Sequence, residues 1–329
     1  MMTESVSSDL SKAVNTLSIY VEKGVLPRHA EEKQEPLFRS KSDASKLKSL
    51  KKLSYHDGKF VAVDCSTKTL RRANNWGIYF LRATYALVEG RTVDWGFNER
   101  IQTLLGPAYV RRNLLRNLRF EAESELALGQ IRKLDSDDYV LLDGASYFGE
   151  KTGFHISLFE ECKKKTLNLL TLSKQSPSLH DECGRDFQAT IQTIAQQPIW
   201  LYHPVAKARP AEHLYGDISI IKLCSESSWA FRCDIMEYLT SHDIVDVISP
   251  LTALAEDPRC LGYPVPLWLA HDFSATSNAK LLHYYEQVEK LLKQSGLYDR
   301  LIKEELACSF ADELHGIRYP FEREWIEYG

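Results

Sequence analysis

Two apolar runs in this 329-residue chain end on a carboxylate: Phe60-Val61-Ala62-Val63-Asp64 and Tyr139-Val140-Leu141-Leu142-Asp143. Val- and Leu-rich runs of this length, with no polar break, read as strands buried on both faces. An Asp directly after such a run stands where a central strand leaves the core, the edge at which open α/β sheets bind ligands. Taken singly, each Asp could instead open a turn or cap a helix. As a pair, with a Glu-bearing helical stretch between them, they point to a metal site. Carboxylates brought together repel one another, and a divalent cation offsets that repulsion. Hard oxygen donors suit Mg²⁺ or Mn²⁺. Late in the chain, Ala270-His271 adds an imidazole, which tilts the preference toward Mn²⁺. Two such ions, roughly 3.5–4 Å apart, hydrolyse phosphodiesters: one activates water and the other steadies the leaving oxygen.

The elements that must position these groups come in a telling order. Asp57-Gly58 is a turn signal ahead of the first strand. Trp76–Val88 and the shorter Arg91–Phe97 read as two further strands, joined at Glu89-Gly90. Residues 108–134 read as a long helix with a stripe of Leu114, Leu115, Leu118, Ala122, Leu126 and Ile131. Its first half carries Arg111, Arg112, Arg116 and Arg119; its second half carries Glu121, Glu123 and Glu125. The Asp143 strand follows. Three meandering strands, a crossover helix and a strand parallel to the first make a ribonuclease H-like α/β core, a mixed sheet flanked by helices. A right-handed crossover returns Asp143 beside Asp64, within reach of a Glu on the helix.

Further along, His155–Lys165 and Phe187–Gln197 read as helices, and Thr166–Leu172 as a strand. Ile218–Leu223 and Trp229–Ile235 read as a hairpin. One late helix buries Leu281, Tyr285, Val288 and Leu292, and a last one spans about 299–315. Ahead of the core, residues 8–23 form an amphipathic helix and residues 27–45 a polar linker. Lys46, Lys48, Lys51 and Lys52 read as a solvated helix face. The expected division is a helix and linker over 1–53, a nuclease-type domain over 54–298 with an insertion around 150–260, and a C-terminal helix and tail over 299–329.

A formal net charge of −4 provides no global basic field, so contact with DNA must come from local patches. Lys174, after a strand end, could neutralise a phosphate or be a surface lysine. Arg111, Arg112 and Arg116 could line a DNA channel or solvate a helix face. Arg232 is read as half of a buried ion pair. Tyr147, Phe148 and Tyr202 could stack single-stranded bases, with core packing as the default. His203 and His213 show no ligand spacing and are read as structural. Seven cysteines without a Cys-x-x-Cys pair argue against zinc ribbons and disulfides, and fit a reducing, cytoplasmic setting. No apolar h-region and no run of ~18 apolar residues is present, so neither a signal peptide nor a membrane span is expected.

Five stretches together resemble the motif series of the NurA family of prokaryotic nucleases. They are Val61-Ala62-Val63-Asp64-Cys65-Ser66, Leu141-Leu142-Asp143-Gly144-Ala145-Ser146, Leu172-Ser173-Lys174-Gln175-Ser176, Phe231-Arg232-Cys233-Asp234 and Gly262-Tyr263-Pro264-Val265-Pro266-Leu267-Trp268-Leu269-Ala270-His271. The resemblance implies Mn²⁺-dependent 5′–3′ exonuclease activity and endonuclease activity on single strands. It also implies a homodimer docked on the hexameric HerA DNA translocase, an ATPase, in DNA end resection and double-strand break repair. By position, Asp64 and Asp143 match the metal-binding acids, and His271 matches the late metal-proximal histidine. Arg119-x-x-x-Glu123-x-x-x-Ala127 resembles the family's helix pattern and favours Glu123 as the third acid, with Glu125 the nearest rival and Glu121 third. The family pattern leads one to expect Gly where Cys65 stands. The alternatives are a catalytically inactive ribonuclease H-like module that binds DNA or docks an ATPase, and a phosphoesterase acting on small nucleotides.

Overall fold

A computed structural model of the chain describes residues 38–149, 153–176 and 178–322; the helix expected at 8–23 lies outside the described residues. In chain order the strands and helices begin with β1 (Phe38–Arg39), β2 (Leu47–Ser49), β3 (Lys59–Arg72), β4 (Trp76–Glu89) and β5 (Thr92–Leu105). Then come α1 (Ala108–Ile131), β6 (Tyr139–Asp143), α2 (Ile156–Lys164), β7 (Asn168–Ser173), β8 (Leu179–His180) and α3 (Phe187–Ile194). The remainder is β9 (Trp200–Ala206), β10 (Gly216–Lys222), β11 (Phe231–Met236), α4 (Ile244–Ile248), α5 (Val265–Ser274), α6 (Asn278–Gln294) and α7 (Tyr298–Leu314). These residues form two compact units. One holds residues 38–54, Leu172–Ala208 and Gly216–Gly262; the other holds Tyr55–Thr171, Arg209–Tyr215 and residues 263–322.

The second unit carries the meander. β3 pairs antiparallel with β4, β4 pairs antiparallel with β5, and β6 lies parallel to β3 on its other side. This mixed sheet, with its crossover helix, is the ribonuclease H-like core. The first half of β3 (residues 60–65), most of β4 and β6 up to Leu142 are buried, which is why the runs before Asp64 and Asp143 are apolar without alternation. α1 buries Leu115, Ala122, Leu126, Ala127 and Ile131, whereas Leu114, expected in that stripe, is exposed. Lys165 Nζ closes its C-terminal end by donating to the carbonyls of Ile131 and Leu134, both at 2.9 Å. Among the described residues no helix is long and apolar enough to cross a membrane.

Two strands run further than their composition suggests. β3 continues through the polar, basic stretch Thr67–Arg72 because its arginines find acids on α6 and α7. Arg71 is buried between Glu289 and Glu305 and lies over the Tyr285 ring at 4.0 Å, and Arg72 pairs with Asp312. β5 extends to Leu105, well past Phe97, by following β4 along its whole length.

In the first unit β2, β9, β10 and β11 form an antiparallel set. The lysine-rich stretch is not a helix face. Leu47–Ser49 adds a strand to β9, and Lys51 and Lys52 pair with Asp246 and Glu256. β9 is a strand that sequence patterning passes over, because Pro204 sits inside it. β2 covers only Trp200–Tyr202, so on that side Pro204 lies where no ladder donor is needed.

Candidate metal centre

The two Asp side chains are brought level by a single anchoring residue. The Asp138 carboxylate accepts from the backbone N–H of Lys59 at 2.8 Å through one oxygen and from Asp135 at 2.8 Å through the other. That fixes the start of β6 against the start of β3. The parallel register then runs Phe60 to Tyr139 through Val63 to Leu142. One step further puts Asp143 beside Asp64. β6 ends there, and Gly144 turns the chain away with φ of 126°, a conformation that suits glycine. Beyond this point β3 has no strand on its β6 side.

Glu123 fills that gap from α1. Its carboxylate accepts the backbone N–H of Cys65 and is buried, 5% exposed. Burial pushes its pKa from 4.5 up to about 8, with Asp64 and Asp143 adding to the rise and Arg119 and the Cys65 N–H opposing it. The neighbouring acids on the helix point elsewhere. Glu121 and Glu125 both pair with Arg100 on β5. Arg119, one turn before Glu123, lies between the carboxylates: its Nη2 is 3.8 Å from Asp64 Oδ1 and 3.7 Å from Glu123 Oε1. As the side chains stand, no three His, Cys, Asp or Glu residues among those described are drawn together closely enough to enclose an ion.

His271 comes from the opposite face of the sheet. Successive strand residues alternate between faces. Tyr79 on β4 meets Arg111 of α1, whereas Thr84 Oγ1 donates to the Ala270 carbonyl of α5 at 2.6 Å. Ser66 Oγ donates to the Ser274 carbonyl, which the end of α5 leaves without a helical partner. These tethers hold α5 over Asp64. His271 Nδ1 lies 2.8 Å from Asp64 Oδ2, and since a carboxylate only accepts, Nδ1 carries the proton and Nε2 is the remaining ring nitrogen. Ser274 Oγ also donates to Asp64 Oδ2, at 3.3 Å.

The structure therefore brings Asp64, Glu123, Asp143 and His271 together in one unit. The other candidates fall differently. Arg111 does not face a channel. It is buried, and it donates to Tyr79 Oη at 2.9 Å and to the carbonyls of Asn74 and Gly106 at 2.8 and 2.6 Å. Arg112 and Arg116 are exposed on α1. Lys174 is exposed in the first unit. Arg232 forms a buried bidentate pair with Asp234, both bonds at 2.7 Å. Phe148 and Tyr202 are core residues, and His203 is half-buried with Nδ1 2.8 Å from Ser219 Oγ, where desolvation lowers its pKa to about 4. Cys65, where glycine was expected, points its buried thiol to the α1 side, near Glu123. Two members of the centre escape sequence reasoning. Arg119 carried a usable signal, its i,i+4 spacing to Glu123. Ser274 carried none.

No family model matches the chain, and no curated protein matches it in sequence. Solved structures do. The NurA nuclease from Sulfolobus solfataricus is similar over 89% of this chain and 98% of its own, with a TM-score of 0.60 and 16% identity. A second NurA structure covers 89% and 98%, with a TM-score of 0.54 and 11% identity. A NurA structure solved with manganese covers 87% and 98%, with a TM-score of 0.52 and 11% identity. Nearly the whole of each NurA chain is matched, so the chain has the ribonuclease H-like fold of the NurA nucleases.

Proposed function

We propose that the protein is a divalent-metal-dependent nuclease that hydrolyses phosphodiester bonds in DNA. The observation that carries this reading is the convergence of three carboxylates from three separate elements, Asp64 on β3, Asp143 on β6 and Glu123 on α1. Their chemistry fits a divalent ion. Burial first, and then the neighbouring Asp64 and Asp143, raise Glu123, and a cation among these hard oxygen donors would favour its charged form. Asp64, Glu123 and Asp143 would hold it, with His271 alongside. Once bound, it would set positive charge against the phosphate and lower the pKa of an attacking water.

The chain's own groups supply the rest of the chemistry. Asp64 orients the His271 ring and leaves Nε2 to take or return a proton at the reacting phosphate. Arg119 offers a planar guanidinium suited to phosphate oxygens. Arg112, Arg116 and Lys174 would contact the DNA backbone. We assign Mn²⁺ ahead of Mg²⁺, in a two-ion arrangement; the same fold crystallised with manganese supports the choice. A 5′–3′ exonuclease polarity, cutting of single strands, a homodimer and docking on a HerA-type ATPase in DNA end resection complete the proposal in its finer form. These rest on the motif resemblance.

The test is cleavage of end-labelled single- and double-stranded oligonucleotides by the full chain with and without Mn²⁺. Wild type should cut only with metal, and Asp64→Asn and Asp143→Asn should not cut while keeping their fold by circular dichroism. Retained activity in both variants at saturating Mn²⁺ would sink the assignment. Binding without cutting by wild type would favour an inactive module. Deleting residues 1–24 and measuring solution mass and ATPase binding tests the docking arm.

A further inference from the structure

β5 is the edge strand of its sheet and carries exposed rings on one face. Trp95 and Phe97 are 45% and 44% exposed, whereas of the three aromatics sequence reading singled out Phe148 and Tyr202 are buried and Tyr147 is half-buried. The register places the exposed pair with respect to the metal centre. Phe97 is opposite Thr84, and Thr84 is opposite Asp64, so one cross-strand row on one face carries Asp64, Thr84 and Phe97. Strands lie about 4.8 Å apart, so the Phe97 backbone is roughly 10 Å from that of Asp64. Trp95 is two residues along the same face. Its ring lies 4.6 Å from that of Phe273, two residues after His271, and 6.2 Å from that of Phe97. Cations flank the rings: the Arg82 guanidinium is 4.1 Å from the Phe97 centroid and Lys280 Nζ is 5.5 Å from it. Glu99 anchors both, with Lys280 Nζ at 2.6 and 2.8 Å and Arg82 at 3.5 Å, which leaves two positive charges against one negative.

We infer that Trp95 and Phe97 form a stacking platform for the bases of a single DNA strand that reaches Asp64, with Arg82 and Lys280 serving its phosphates. The inference rests on the nuclease reading above. Every base offers a π-face, so paired exposed rings beside cations suit a single strand whatever its sequence. A long exposed strand edge could instead pair with a second copy of the chain. The net positive charge and the shared row with Asp64 favour the nucleic acid.

The experiment uses the full chain and a fluorescein-labelled oligo(dT) in EDTA, read by anisotropy. Trp95→Ala and Phe97→Ala should each weaken binding about 5- to 100-fold, and Trp95→Phe should keep most of it. Mn²⁺-dependent hydrolysis of bis(p-nitrophenyl) phosphate, which has no base to stack, should be unchanged in all three. Unchanged oligonucleotide affinity in the alanine variants overturns the platform, as does a wild type that binds no oligonucleotide. An equal loss on both substrates also overturns it. So does a fall in solution mass with affinity per protomer retained, which would make the strand a protein interface. If wild type hydrolyses neither DNA nor the diester yet the alanine variants lose oligonucleotide affinity, the nuclease reading fails and the platform stands.

Discussion

Replacing Glu123 with Gln should stabilise the metal-free protein at alkaline pH and flatten its pH dependence. The Glu123 carboxyl is buried beside two other acids and sits at about 8 instead of 4.5. Between those two values the native protein holds a proton that the unfolded chain has released. Stability is therefore highest below the unfolded value and is lost as pH rises through the folded one. At roughly 1.4 kcal/mol per pKa unit, the full window is worth at most about 5 kcal/mol. Gln keeps the shape and an oxygen for the Cys65 N–H but has no charge to bury. Urea midpoints in EDTA should coincide for wild type and Glu123→Gln near pH 5 and separate toward pH 9, with the variant the more stable. Mn²⁺ should reverse that order, since the wild type gains more from ligation. Parallel wild-type and variant curves across the whole range in EDTA would refute the reasoning, because burial beside Asp64 and Asp143 would then not be holding the Glu123 carboxyl protonated.

Three further outcomes are expected. Glu121→Gln and Glu125→Gln should change stability by less than ~0.5 kcal/mol and leave cleavage near wild type, since both acids only pair with Arg100 at the surface; a Glu125→Gln variant as dead as Glu123→Gln would move the ligand. Arg111→Ala should cost ~2–4 kcal/mol in urea denaturation, because it removes a buried side chain and strips donors from the buried Tyr79 Oη and from the carbonyls of Asn74 and Gly106; a change confined to DNA affinity would restore a DNA-facing role. Arg232→Ala should cost ~3–5 kcal/mol by leaving the Asp234 carboxylate buried without its bidentate partner, and the added change Asp234→Leu should recover much of the loss.

The carboxylates of the centre were legible for a physical reason. A strand buried on both faces seldom carries a charge, so the two Asp residues stand out in the letters themselves: Asp143 marks the end of β6, and Asp64 marks where the apolar run of β3 stops, although the strand continues to Arg72. The meander and its crossover helix could be read for the same reason. What could not be read depends on partners far away in sequence. Nothing near Arg71 announces that Glu289 and Glu305 will neutralise it, so β3 looked as though it ended early. Arg111 and Arg116 look alike in sequence, yet only Arg111 is turned inward, and one helix turn cannot reveal which side its neighbours will cover. Pro204 hid β9, because whether a proline breaks a strand depends on the length of the strand beside it. Among the three helix acids, periodicity establishes that they diverge, but only the packed sheet selects Glu123.

Position 65 gives Glu123 its main-chain N–H, and its side chain is a small buried thiol on the α1 side. Every residue except proline owns that N–H. Cys65 does not adopt a positive φ, so no glycine is required there. The hydrogen bond to Glu123 is therefore indifferent to which small side chain stands at position 65. A substitution there changes a letter of the Val61–Ser66 stretch and leaves the main-chain contact in place.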